Sequence, residues 1–169
     1  MTVKTVTNRL NIEEASFSDA PFIYKLMNSD GWLKFIGDRG IKTLKDAENY
    51  IQGSLVEKYK SSGYGLYKLS MKVGKTPIGL CGFVQRDYLN APDIGFALLP
   101  EFEGQGLMFE AASEIIEMGF KKFNLNTIYG ITNPDNIRSI HLLTKLGLNR
   151  KEIITNPQGE QLLLFEKKN

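Results

Sequence analysis

Two short stretches of the chain, residues 9–14 and 64–73, alternate apolar with polar residues, and this period of two predicts β-strands. Further strands are expected at residues 78–85, 93–99, 127–132, 149–155 and 161–166. Residues 74–77 predict a turn that joins the second and third strands into a hairpin. Residues 156–159 predict the turn of a last hairpin. Seven strands are therefore expected.

Apolar residues three or four positions apart predict four helices between these strands. The first begins at Ser18-Asp19 and ends near Asn28, and the others cover about 43–60, 106–123 and 134–146. Thr43 and Asp46 form a capping-box pattern with Asp in place of Glu. The apolar cluster at 32–36 predicts an irregular or short helical segment.

The predicted element order, β-α-α-β-β-β-α-β-α-β-β, indicates the fold class. It favours an α+β fold in which helices flank a central mixed sheet, mostly antiparallel. The strand-helix-strand segment 93–132 predicts a right-handed crossover. A chain of 169 residues is expected to form a single domain, 1–169.

Composition narrows the classes of function. The formal net charge is only +2, which argues against a nucleic-acid partner. No run of about 18 apolar residues occurs, so no membrane association through a spanning helix is expected. The N-terminus lacks the apolar stretch of a signal peptide, and a cytoplasmic location is expected. One cysteine, Cys81, and one histidine, His141, argue against a structural zinc site, and no metal is expected.

The segment 98–107 leaves a strand and enters a helix through two glycines, Gly104 and Gly106. The first N–H groups of a helix lack internal partners and carry partial positive charge. Glycine has no Cβ, so a ligand can approach the backbone closely. Together these features predict a cradle for a phosphate group.

Two nucleotide-binding patterns do not fit this loop. A Walker loop ends in Gly-Lys-Ser/Thr, whereas Leu107 follows Gly106. A dinucleotide fingerprint needs a third glycine where Phe109 stands, and it follows the first strand of its fold. The short pattern Gly104-x-Gly106 also fits a glycine-rich turn that holds no ligand, and the loop alone does not separate these alternatives.

Three motifs in the same order resemble the GNAT superfamily of N-acetyltransferases, and most of all its branch of ribosomal-protein N-terminal acetyltransferases (RimJ/RimL-like). The resemblance covers nearly the whole chain, from an opening strand at 7–10. The motifs are Pro92-Asp93-Ile94-Gly95-Phe96, then the loop 100–107 followed by Glu110-Ala111, then Asn133-Pro134-Asp135-Asn136-x-x-Ser139 with Leu146-Gly147-Leu148 after it.

The resemblance implies an enzyme that transfers acetyl from acetyl-CoA to a primary amine, on a protein N-terminus or a small molecule, by direct attack in a ternary complex. It places Asp93 in the acceptor cleft as a base working through water or as an ammonium anchor. It places Ser139 near the CoA sulfur as a proton donor. The implied cofactor-binding residues are Phe96, Ala97, Leu98, Glu103, Gly104, Gln105, Gly106, Leu107, Met108, Asn136 and Ser139.

In such proteins the central strand splays from its parallel neighbour after a bulge, and Gly95 would permit a bulge here. The exposed edge at 96–98 can then pair with the amide-bearing pantetheine arm. Glu103 departs from the family pattern. A carboxylate at this position repels a diphosphate unless it points away. We expect Glu103 to face solvent or to pair with a lysine.

Each candidate also has a plainer interpretation. Asp93 could be a solvated turn residue, Asn136 could only cap its helix, and His141 is expected to be packed or solvated rather than a base. Cys81 is expected in the core. A non-catalytic acyl-CoA sensor and a protein-interaction module without a small ligand stay open as alternative functions, and a homodimer is possible.

Overall fold

The computed structural model describes residues 3–169 and contains an eight-stranded sheet in the order β1-β2-β3-β4-β5-β6-β8-β7. Neighbouring strands are antiparallel except β5 and β6, which are parallel. The strands are β1 (Val3–Val6), β2 (Leu10–Glu13), β3 (Leu66–Met71), β4 (Pro77–Val84), β5 (Asp93–Leu98), β6 (Thr127–Thr132), β7 (Asn149–Thr155) and β8 (Gln161–Lys168). The predicted mixed, mostly antiparallel sheet is confirmed.

Helices cover both faces of this sheet. They are α1 (Ala20–Met27), α2 (Asp30–Phe35), α3 (Leu44–Tyr50), α4 (Glu57–Ser62), α5 (Leu107–Lys121) and α6 (Ile137–Lys145). A π-helical segment, Ile51–Val56, joins α3 to α4, so the predicted helix at 43–60 is one continuous helical stretch. None of the helices within residues 3–169 is long and apolar enough to cross a membrane.

Side-chain alternation along β4 divides the core into two layers. Cys81 and Phe83 pack in the cluster that contains the buried face of α5. Leu80, which directly precedes Cys81, packs with Leu26 of α1 and Ile51 on the other side. Successive side chains of a strand point to opposite faces of the sheet, so α1–α4 and α5 lie on opposite faces.

Three local predictions were wrong. The strand β1 was not predicted, because it is four residues long and its Val6 side chain is 50% exposed. Helix α6 begins at Ile137 rather than at 134, because the Asn136 side chain caps it there. No bulge occurs at Gly95, since β4 and β5 pair without a register shift from Gly79↔Leu98 to Val84↔Asp93.

The strands β5 and β6 splay apart, as the resemblance predicts. Their one registered pair within the described chain is Asp93↔Tyr129, and the Tyr129 N–H donates to the Pro92 carbonyl at 2.9 Å. Beyond this pair the strands diverge toward their carboxyl ends. The β5 edge at 96–98 therefore faces a gap, and the segments that follow β5 and β6 form the two sides of its wide end.

Candidate active site

The glycine loop presents a row of backbone donors at the N-terminus of α5. Gly104 and Gly106 have φ of 74° and 75°, a left-handed conformation that glycine adopts without a steric penalty. Among residues 3–169 no acceptor is bonded to the N–H groups of positions 104–109. A Cβ added to Gly104 would meet nothing within 4 Å, so a ligand has room to reach these donors.

Arg9, which directly precedes β2, holds this loop in place. Its Nη1 donates to the Gln105 carbonyl at 3.0 Å, and its Nε donates to Glu110 Oε2 at 2.7 Å. The C=O and N–H of one trans peptide point in opposite directions, so this bond turns the Gly106 N–H away from Arg9. The sequence motif did not assign this role, because Arg9 and Glu110 lie 101 positions apart.

Glu110 stays ionised in this network. Burial alone raises the pKa of Glu110, but hydrogen bonds from Thr7 and Arg9 outweigh burial and hold the pKa below its ordinary value. The Thr7 hydroxyl donates to Glu110 Oε1 at 2.6 Å and the Arg9 backbone N–H donates to it at 2.7 Å. The charge of Glu110 is therefore neutralised by groups of the protein, and the N-terminus of α5 keeps its positive potential.

Two further carboxylates of the loop also have basic partners. Glu101 accepts a hydrogen bond from Lys25 of α1. Glu103 is exposed and accepts one from Arg138 of α6. Glu103 thus faces solvent as predicted, but its partner is an arginine and not a lysine. The Arg138 contact also places the glycine loop beside the first turn of α6.

The predicted cofactor residues of β5 and α5, on one side of the gap, differ in what they expose. Phe96, Ala97 and Leu98 are half-buried along the β5 edge. Leu107 and Met108 bury their side chains in the core beneath α5, so their contribution to a ligand site is limited to backbone N–H groups. Backbone donors and a strand edge are therefore the main features on this side.

Asn136 and Ser139 stand at the start of α6. Asn136 Oδ1 accepts a hydrogen bond from the Ser139 N–H at 3.2 Å, so Asn136 is the N-cap and its side-chain NH₂ is still available to a ligand. Ser139 is 7% exposed as a whole residue, and no group among residues 3–169 makes a hydrogen bond to its hydroxyl. Ser139 Oγ is not one of the fully buried unpaired atoms of the described chain, so this hydroxyl is open enough to donate its proton to a ligand atom.

Asp93 lies at the apex of the splay and is 1% exposed. Its Oδ1 accepts a hydrogen bond from Arg86 Nε at 2.8 Å, and the Arg86 side chain is 29% exposed. Burial raises the pKa of Asp93 above its ordinary value, and the Arg86 charge opposes this rise. Asp93 is therefore not a solvated turn residue. Arg86 was missed by the sequence analysis, because the loop between β4 and β5 carries no motif.

Other candidates lie outside this region. His141 is exposed on α6. Cys81 is fully buried, and burial raises the pKa of its thiol, so it is a core residue as predicted. Trp32 belongs to the cluster under α1–α3, whereas Tyr64 packs against Phe83 and Phe123 on the other face of the sheet.

Comparisons with known proteins agree with this geometry. Residues 9–149 match the family model described as the acetyltransferase (GNAT) domain. The uncharacterized N-acetyltransferase YnaD of Bacillus subtilis is 29% identical over 157 residues, which are 92% of this chain and 89% of YnaD. A spermidine N(1)-acetyltransferase of Escherichia coli is 38% identical, but over only 50 residues, 30% of this chain.

Solved structures share the fold along the whole chain. The ribosomal-protein-S5-alanine acetyltransferase from Vibrio fischeri superposes with a TM-score of 0.84, at 22% identity over 99% of this chain and 97% of that one. A RimL ribosomal L7/L12 α-N-protein acetyltransferase in complex with coenzyme A gives 0.83, at 15% identity over 99% of this chain and 98% of that one. At these identities the two structures share their fold with this chain.

Proposed function

This chain belongs to the GNAT acetyltransferase family and is an acetyl-CoA-dependent acetyltransferase, and we propose that it acetylates a primary amine by direct attack in a ternary complex. The observation that carries the proposal is the row of N–H groups at 104–109, beside the β5 edge at 96–98, neither of which has a backbone partner within residues 3–169. The first feature suits a diphosphate and the second suits an amide-bearing arm.

The residues around the loop fit such a ligand electrostatically. The carboxylates of Glu101, Glu103 and Glu110 are each paired with a basic side chain, so they do not leave a net negative field at the helix N-terminus. The Asn136 amide and the 96–98 backbone edge supply further hydrogen-bonding groups on the two sides of the gap. We assign the diphosphate to 104–108 and the pantetheine arm to the gap.

Acetyl-CoA supplies a thioester: the acceptor nitrogen forms a C–N bond to its carbonyl carbon, the C–S bond breaks, the thiolate gains a proton and the nitrogen loses one. The chain must therefore accept one proton and donate one. Ser139 is our donor to the sulfur, because its hydroxyl has no hydrogen-bond partner in the described chain and is not among the fully buried unpaired atoms. Holding both substrates in one cleft supplies a further part of the rate.

Asp93 is our acceptor-side group. An ordinary aspartate is a weak base at neutral pH, and the raised pKa of Asp93 brings it closer to the pH at which a base is effective. Its burial beneath Arg86 means that a proton reaches it through water or through displacement of Arg86. The same carboxylate can instead hold the acceptor ammonium.

For the acceptor class we propose an amine on a peptide N-terminus or a small molecule. Similar proteins act on both kinds of amine: the Vibrio fischeri protein is a ribosomal-protein-S5-alanine acetyltransferase, and the short match is to a spermidine N(1)-acetyltransferase. We further propose a cytoplasmic enzyme, since the free thiol of Cys81 is compatible with a reducing compartment.

The loop assignment is tested by Gly104→Val. Gly104 has φ of 74° and open space beside it, so valine adds backbone strain and fills the cradle. Gly159→Val is the matched control: Gly159 has φ of 84° and equally open surroundings, but it lies in the β7–β8 turn. We expect both variants to lose similar stability and only Gly104→Val to lose acetyl-CoA affinity, measured by calorimetry. Equal affinity in the two variants would refute the loop assignment.

A further inference from the structure

The ion pair between Glu103 and Arg138 joins the two sides of the splayed strands. Glu103 follows β5 through the short 3₁₀ turn Pro100–Phe102, and Arg138 lies in the first turn of the helix that follows β6. The strands β5 and β6 have their registered pair at the opposite end, at Asp93↔Tyr129. The contact therefore crosses the wide end of the gap, next to the glycine loop.

The neighbouring groups make this contact responsive to an anion. Glu103 directly precedes Gly104, whose N–H begins the row of donors without protein acceptors at 104–109. A diphosphate on these donors adds negative charge beside the Glu103 carboxylate, and like charges at this spacing repel. The Arg138 guanidinium already reaches this point, and arginine binds phosphate oxygens through paired N–H donors.

We propose that Arg138 is a phosphate-binding residue of the CoA site and that Glu103 is its internal competitor. When CoA binds, the Arg138 guanidinium leaves the Glu103 carboxylate and donates to the CoA diphosphate. The exchange is feasible because the side chains of Arg138 and Glu103 are 76% and 37% exposed, and exposed ion pairs are weak. This inference rests on the proposed function, because it requires CoA in this cleft.

The two residues then act on CoA affinity with opposite signs. Arg138→Gln removes a charge-assisted hydrogen bond to phosphate and is expected to weaken CoA binding about tenfold. Glu103→Gln removes the competing carboxylate and the local repulsion, and it is expected to strengthen CoA binding by about threefold. A role limited to tying the loop to α6 predicts instead that both substitutions weaken binding.

The experiment is calorimetric titration of the wild type and the two variants with CoA and with 3′-dephospho-CoA, which keeps the diphosphate. We expect the same ranking with both ligands. The double variant Arg138→Gln/Glu103→Gln has a matched control in Lys25→Gln/Glu101→Gln, which removes the ion pair between α1 and the same loop. Both leave the net charge unchanged, and only the first is expected to weaken binding.

Three results would overturn the inference: CoA affinity unchanged in Arg138→Gln, weaker binding in Glu103→Gln, or an Arg138 effect that disappears with 3′-dephospho-CoA. The last result would move the contact from the diphosphate to the 3′-phosphate. A wild-type protein that binds no CoA would instead refute the proposed function, so the two failures are distinguishable.

Discussion

Replacing Arg86 with methionine tests the electrostatics of the splay apex. Met keeps much of the aliphatic volume of Arg86 and removes its charge, which leaves the Asp93 carboxyl 1% exposed and without its ion-pair partner. Removing one partner of a buried pair costs about 3–5 kcal/mol. The Arg86 side chain is 29% exposed, so we expect the lower end, about 3 kcal/mol at pH 8.

The free energy of unfolding lost in Arg86→Met should depend on pH, and the pKa of Asp93 sets the direction of that dependence. Burial raises the pKa of Asp93 above its ordinary value of 3.8, so the folded state binds this proton more tightly than the unfolded chain does. A group with a raised folded pKa favours folding below its unfolded pKa, and this contribution is lost as pH rises through the folded pKa. Without Arg86 the folded pKa rises further, so the loss extends to higher pH.

The assay is urea unfolding of wild type and Arg86→Met from pH 4 to pH 8, with thermal unfolding at both ends. We expect the difference in free energy of unfolding to be smaller at pH 4, where the raised pKa leaves more of Asp93 neutral, and to be about 3 kcal/mol at pH 8. The entropy of unfolding is about 2.1 cal/mol/K per residue, so the loss of about 3 kcal/mol lowers Tm by about 8 °C.

Two further variants separate this explanation from general charge effects. Arg86→Met/Asp93→Asn lacks the ionisable carboxyl, so its stability difference from wild type should vary less with pH. Lys121→Met removes the exposed helical pair with Glu117 and should leave the unfolding midpoint unchanged. A pH-independent loss in Arg86→Met, or no loss, would refute the assignment of Asp93 as a buried carboxylate held by Arg86.

Three other predictions concern packing, capping and thiol chemistry. Gly130→Ala places a Cβ 2.5 Å from Leu143 Cδ2 and should lower the free energy of unfolding in urea by about 1–3 kcal/mol. In the control Gly53→Ala the added Cβ meets nothing within 4 Å and should not destabilise the protein. Thr43→Ala removes the acceptor of the Asp46 N–H and should cost about 1 kcal/mol, and an unchanged midpoint would contradict the cap. Cys81 should react with a thiol reagent only after unfolding, because burial raises its pKa; rapid reaction in the native protein would contradict its core position.

Much of the fold could be predicted from local patterns. The strands at 127–132 and 149–155 match β6 and β7 to the residue. The capping box at Thr43 is present as predicted. β1 was not predicted because it is a four-residue edge strand, and its side chains at 4–6 are all at least partly exposed.

Candidate site residues could be named from the sequence only where a motif carries them. The glycine loop and the Asn136–Ser139 pair are such candidates, because close approach to backbone and helix capping each demand particular residue types at short spacing. The three arginines that contact the candidate site, Arg9, Arg86 and Arg138, pair with residues that lie 101, 7 and 35 positions away. Long side chains reaching across the fold leave no periodic or local signal.

Acetyl transfer to an amine can be measured directly as thiol release from acetyl-CoA, tested across a panel of peptide N-termini and small-molecule amines. We expect free thiol in equal amount to an N-acetylated product, formed only with one class of acceptor. This activity should be lost in Gly104→Val but not in Gly159→Val. Tight CoA binding without acetylation of any amine would contradict it and would support a non-catalytic acyl-CoA sensor.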